Sequence, residues 1–147
     1  MLFTAHAAVG GVAGEYLNSP FLAFIAGIIL HFILDAIPHY DVTDNGKFTL
    51  RQNLLIIIDV AIGLILFAVL YDKIDHPVSF LAGSFGCILP DIVDLVPFWN
   101  KYFHATKFGK RFHSFHAYIQ SIKVGPIFGL SIQAIIIITS VLILISK

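Results

Sequence analysis

NLLIIIDVAIGLILFAVLY, residues 53–71, runs nineteen positions with a single formal charge, that of Asp59. At the usual helical rise such a segment is about 28 Å long, close to the ~30 Å hydrocarbon core of a bilayer. Lipid offers a lone spanning segment no backbone solution except a helix. Working outward, Phe21 to Ile37, Val78 to Val96 and Val124 to Ser146 are similarly apolar. A fifth stretch, Leu2 to Leu17, is shorter and rich in Ala and Gly. Its Gly10-x-x-x-Gly14 spacing favours close approach to a neighbouring helix within a bundle. The expected fold is an all-α, polytopic membrane helix bundle of about five helices plus an interfacial helix, forming one domain over residues 1–147.

Composition agrees. The chain is 58% hydrophobic with a mean hydropathy of +0.89, above the roughly 45–50% apolar content of soluble domains. Nine basic and nine acidic residues give no net charge, and the cations form no stripe, so nucleic acid is excluded as a partner. The single Cys87 excludes an internal disulfide and a CxxC metal site. The amino end has no basic region before its apolar stretch, so it reads as part of the mature protein rather than a signal peptide.

Asn18 to Pro20 and Asp72 to Pro77 read as short connections. Pro38 to Gln52 is a longer loop with a turn expected at Asp44-Asn45-Gly46. The largest connection, 97–123, mixes Lys101, Lys107, Lys110 and Arg111 with Phe98, Trp99, Tyr102, Phe103, Phe108, Phe112, Phe115 and Tyr118. Rings and cations together suit the headgroup layer, so an interfacial helix is expected around Lys110 to Ser121. If all five segments cross, both long loops lie on one side and hold most of the cations. The positive-inside rule then makes that side cytoplasmic.

Ionisable groups inside apolar helices cost about 2.5–3.5 kcal/mol at the helix centre even on the lenient scale, so they face protein interiors and have tasks. His31 and Asp35 are one turn apart on one face, placed to grip one ion. Gly27 continues that stripe, and Gly83, Cys87, Asp91 and Asp94 make a similar one. His6 shares a face with Gly10 and Gly14, and Asp59 with Gly63. The small-residue sides should pack together, which points these polar groups into a common interior. The topology also puts His6, His31, Asp35, Asp59, Asp91 and Asp94 within roughly 10 Å of the cytoplasmic face. His39, Asp41, His113 and His116 follow on that side, whereas His76 lies on the other. A faint repeat, Ala26-Gly27 before Asp35 and Ala82-Gly83 before Asp91, hints at paired helices. His104 reads as a surface-loop histidine.

Neutral imidazole and carboxylate oxygen suit zinc, with manganese as the alternative ion. His6, His31, Asp35, His39, Asp91, His113 and His116 are the candidate metal ligands. Two ions bridged by an aspartate are compatible with so many donors. Such an ion brings the pKa of a bound water to about 7, and Asp94, Asp41 and Asp59 are candidates for the base that takes its proton.

Thr4-Ala5-His6-Ala7-Ala8-Val9-Gly10, Leu89-Pro90-Asp91-Ile92-Val93-Asp94 and Arg111-Phe112-His113-Ser114 resemble the pattern of the predicted membrane-bound metal-dependent hydrolases, often described as LexA-regulated. His31-Phe32-Ile33-Leu34-Asp35 resembles the His-x-x-x-Asp element of zinc-dependent phospholipase C-like proteins. The resemblance implies a helical membrane protein of bacteria or archaea with hydrolase activity on a lipid or phosphoester, and with His6, His31, Asp35, Asp91 and His113 as ligands.

The expected function is therefore a metal-dependent hydrolase at the cytoplasmic membrane surface, acting on an amphiphilic phosphoester or lipid. A metal-ion or proton transporter using the same cluster is the alternative. Transport sites sit nearer the midplane, and beyond the cluster the helices carry only Glu15. A membrane component using polar groups merely as helix glue would need only one or two of them. The lipid bilayer is the expected partner, and homo-oligomerisation through exposed faces is left open.

Overall fold

The computed structural model describes residues 1–40 and 49–147 and is all-α, with seven α-helices among those residues: α1 (Phe3–Leu17), α2 (Pro20–Asp35), α3 (Leu50–Leu70), α4 (Pro77–Leu95), α5 (Pro97–Phe103), α6 (Lys107–Ile119) and α7 (Pro126–Ile145). The five expected apolar segments are α1, α2, α3, α4 and α7, and the expected interfacial helix is α6. The short α5, opened by Pro97, is an addition to the expected set. The turn expected at Asp44-Asn45-Gly46 and the residue Asp41 lie outside the described residues.

Local chemistry sets several boundaries. Asn18 adopts a left-handed conformation (φ 45°) and its N–H returns to Gly14 O, which stops α1. Ser19 then caps Leu22 N, and Pro20, whose missing N–H is no loss in a first turn, opens α2. Thr49 and Gln52 form a reciprocal capping box at the start of α3.

Three helices, α4, α7 and α3 with its 3-10 extension to Lys73, are long and apolar enough to cross a membrane. At 15 and 16 residues, α1 and α2 span only about 22–24 Å. The centre of the bundle is α1, α2 and α4, with α7 and α3 packed against α1. Glycines make that centre possible. A Cβ on Gly10 would collide with the Gly83 carbonyl and one on Gly83 with the Gly10 carbonyl, while a Cβ on Gly27 would meet the Gly83 carbonyl from the other side. Backbone touches backbone at these crossings. The repeat noted above thus falls on α2 and α4, which cross at Gly27 and Gly83.

The outer faces are apolar. On α3 the side chains of Leu54, Ile57, Ile58, Ile62, Leu64 and Ile65 are exposed, and Asp59 alone is buried. Ile127, Phe128, Ile135 and Ile138 do the same on α7. Apolar surface of that extent suits lipid rather than water.

Both ends of the bundle are polar. At one, Glu15 accepts hydrogen bonds from the backbone N–H groups of Asp75 and His76 and pairs with Lys147, which also lies 3.1 Å from Asp75 Oδ2. At the other end lie the start of α1, the ends of α2 and α4, and α6.

A candidate metal centre at one end of the bundle

The centre is assembled from four elements and the chain after α2. The start of α1 supplies His6, the last turn of α2 supplies His31 and Asp35, and the last turns of α4 supply Asp91 and Asp94. His116 comes from α6, and His39 lies four residues beyond Asp35. His6, His31, Asp35, His39, Asp94 and His116 are all buried. Phe32 rests against the rings of His31, Phe112, Phe115 and His116, which docks α6 beneath α2.

Hydrogen bonds on the outer side of three imidazoles fix which nitrogen faces inward. His31 Nδ1 is 2.8 Å from Cys87 O, and His39 Nδ1 is 2.8 Å from Ile37 O. A carbonyl can only accept, so both Nδ1 atoms carry protons, and in the neutral form of each ring the lone pair sits on Nε2. The Cys87 carbonyl stands next to the turn containing Pro90, which has no N–H to offer the Gly86 carbonyl. His116 Nδ1 lies 3.0 Å from Asp94 Oδ2. Carboxylate or carbonyl on the outer nitrogen is the usual arrangement behind a metal-ligating histidine.

The inner atoms converge. His31 Nε2 is 3.3 Å from Asp35 Oδ2, 3.1 Å from His116 Nε2 and 3.9 Å from Asp91 Oδ1. His116 Nε2 is 3.1 Å from Asp35 Oδ2 and 3.4 Å from Asp91 Oδ1. Bonds of about 2.0–2.2 Å in a tetrahedral shell separate neighbouring ligand atoms by about 3.3–3.5 Å. These four donors all lie within 4.8 Å of one another; the pairs at 3.1–3.4 Å already match the edges of such a shell, and the His31–Asp91 pair at 3.9 Å would have to close by about half an ångström.

The second oxygen of each carboxylate meets the remaining histidines. His6 Nε2 lies 3.1 Å from Asp35 Oδ1 and 3.9 Å from Asp91 Oδ2, and His39 Nε2 is 3.9 Å from Asp35 Oδ1. Asp35 Oδ1 also accepts from the Met1 amine at 2.8 Å, and Gln120 donates to Asp35 Oδ2. Among the described residues, the buried Asp91 Oδ1 has no hydrogen-bond donor. Leaving a buried carboxylate oxygen without a partner costs on the order of 1–3 kcal/mol or more, and a cation held by the four donors would remove that cost.

Burial opposes charge on His116, but its hydrogen bonds to Asp35 and Asp94, with the nearby Asp91 charge, outweigh it and raise the imidazole to about 9.

The remaining expected site residues lie elsewhere. His113 joins Asp94, with Nδ1 3.1 Å from both oxygens, and does not enter the group around Asp35. Asp94 bears on the centre through His116. Asp59 turns to the start of α1, accepting from Thr4 N at 3.1 Å, while its own carbonyl accepts from the Thr4 hydroxyl at 2.6 Å.

Sequence reasoning missed other participants. His104 Nε2 sits 2.7 Å from Asp94 Oδ1, so this residue is tied to an acidic partner instead of standing alone on a surface loop. Gln120 and Gln133 were missed too; the latter receives Leu2 N at 2.8 Å and donates to Tyr40 O at 3.1 Å. A glutamine one turn after His116, just past the end of α6, was the available signal for the first. For Gln133 the signal was an amide inside an apolar helix.

No protein-family model, curated protein or solved structure matches this chain. The likeness to membrane-bound metal-dependent hydrolases thus rests on the short motifs alone. What stands independently is a buried His/Asp group able to hold a metal ion, at one end of a helical bundle with three candidate membrane spans.

Proposed function

We propose that the chain is a single-domain, membrane-bound metal-dependent hydrolase of a bacterial or archaeal cell membrane, with its His/Asp centre near the cytoplasmic face. The observation that carries this reading is Asp91 Oδ1, without a hydrogen-bond donor among the described residues and set between the Nε2 atoms of His31 and His116 beside Asp35. His31, Asp35, Asp91 and His116 would hold the ion, with His6 and His39 against the outer oxygens of the two carboxylates. Two nitrogens and two carboxylate oxygens favour zinc, with manganese as the alternative. Bound there, a divalent ion supplies Lewis acidity toward a phosphoryl oxygen and lowers the pKa of water to about 7.

The chain's own groups supply the rest. Asp94 holds the His116 ring in one orientation and, of Asp94 and Asp59, the two candidate bases among the described residues, is the one whose contacts reach the cluster, which favours it as the proton acceptor. The exposed Lys107, Lys110 and Arg111 of α6 suit the phosphate of an amphiphilic phosphoester or lipid. Asp91, with 22% of its side chain exposed, marks the open side of the centre.

The test is elemental analysis of purified protein beside His31→Ala and Asp35→Ala, followed by hydrolysis of phosphoester lipids in mixed micelles. Near-stoichiometric zinc or manganese in the wild type, lost in both variants together with hydrolysis, is the expected result. A wild type that neither retains nor responds to metal would overturn the reading. Ion flux in proteoliposomes would instead favour a transporter.

A further inference from the structure

The α5–α6 corner brings together a second group of metal-ligating side chains outside the buried centre. His104 follows α5 and its N–H returns to Asn100 O. Two residues on, the Thr106 hydroxyl accepts from Gly109 N and starts α6. A Cβ on Gly109 would strike the Phe103 carbonyl, so the corner closes tightly only with glycine there. The result is that the rings of His104 and His113 face each other with centroids 4.5 Å apart, above the last turn of α4.

Both rings converge on Asp94. His104 Nε2 is 2.7 Å from Oδ1, and His113 Nδ1 is 3.1 Å from each oxygen. The carboxylate is shared, because Oδ2 also receives His116 Nδ1 from the buried centre. We infer that Asp94, His104 and His113 form a second divalent-ion site, separate from the buried centre and linked to it through the Asp94 carboxylate.

The donor set is two imidazole nitrogens and one carboxylate oxygen. That favours zinc and its neighbours over magnesium or calcium, which prefer oxygen alone. To reach the roughly 3.3 Å edges of a tetrahedral shell, His104 Nε2 would move about 0.6 Å from Asp94 Oδ1 and His113 Nδ1 about 0.2 Å, with all three donor atoms within 4.8 Å of one another. Partly exposed rings can open by that much: the His104 side chain is 29% exposed and that of His113 50%, against 1% for His116. Three protein ligands at an exposed corner leave a coordination position for water or an added ligand, which is the pattern of catalytic rather than structural zinc sites. The outer ion should therefore exchange readily. Its site does not require the buried centre to be filled.

The experiment strips purified full-length protein of metal, titrates it with cobalt(II) while following visible absorption, and counts retained zinc before and after a mild chelator. The expected wild type binds two ions, one resisting the chelator and one exchanging. A His104→Ala/His113→Ala double variant should lose the exchanging ion, with at least a tenfold weaker second binding step, and keep the resistant one. His31→Ala should do the reverse. Retention of both ions by the double variant would overturn the inference. So would a single ion lost in His31→Ala and unaffected in the double variant, although that result leaves the buried centre intact. A single ion lost only in the double variant would support the outer site and count against the buried one.

Discussion

His116 lies between two carboxylates, with Nε2 3.1 Å from Asp35 and Nδ1 3.0 Å from Asp94. In the metal-free protein a ring raised to about 9 is charged at neutral pH and donates on both sides. An ion needs the Nε2 lone pair, so metal and proton compete for that nitrogen. Apparent metal affinity should weaken about tenfold for each pH unit below 9, for one displaced proton, and level off above it. The metal-free fold responds in the opposite sense. A group whose folded pKa is raised contributes stability fully below its ordinary value near 6.5 and loses that contribution as pH rises through about 9. Between pH 6.5 and 9, then, metal titration should tighten while the thermal midpoint of metal-free protein falls. Two curves moving in the same direction would place the titration on another group.

At the scale of elements, the glycine crossings of α1, α2 and α4 leave no room for a side chain. Gly10→Val sets a branched side chain against the Gly83 carbonyl and Cys87, and should cost at least the roughly 1–3 kcal/mol of an overpacked core. Gly125 meets nothing within 4 Å, so Gly125→Ala should cost no more than about 1 kcal/mol, the loss of a favoured residue at the N-cap of α7. Thermal melts in detergent would compare the two, and equal midpoints would contradict the packing. The Gly10 and Gly14 stripe was legible in sequence because lipid gives helices little reason to meet except close packing. His31 and Asp35 were legible because a four-residue spacing fixes a shared face. The division of Asp35 and Asp91 oxygens between two pairs of histidines was not, since it depends on how α1, α2 and α4 rotate against one another. Nor was the role of His104, because α5 is a seven-residue helix too short for periodicity to reveal. Only Pro97, a residue favoured in a first helical turn, marked its start.

For the whole molecule, the two polar ends predict sidedness. His104, Lys107 and Lys110 belong to the end holding the His/Asp centre, whereas Lys73 adjoins the Glu15, Asp75 and Lys147 group. In a Cys87→Ala background, a membrane-impermeant thiol reagent should label Lys73→Cys in intact cells and Lys110→Cys only after permeabilisation. The reverse pattern would invert the orientation, and labelling of both in intact cells would remove the case for spanning. The backbone-to-backbone crossing at Gly10 and Gly83 has a final consequence, for selectivity among ions. Spreading helices that are packed backbone to backbone would forfeit those contacts, and the ring contacts of Phe32 hold α6 against α2. A cluster so held would discriminate by radius as well as by donor type. Calcium, which takes six to eight oxygens at about 2.3–2.6 Å, should be rejected even in large excess over zinc, and a cell would need no separate device to keep it out.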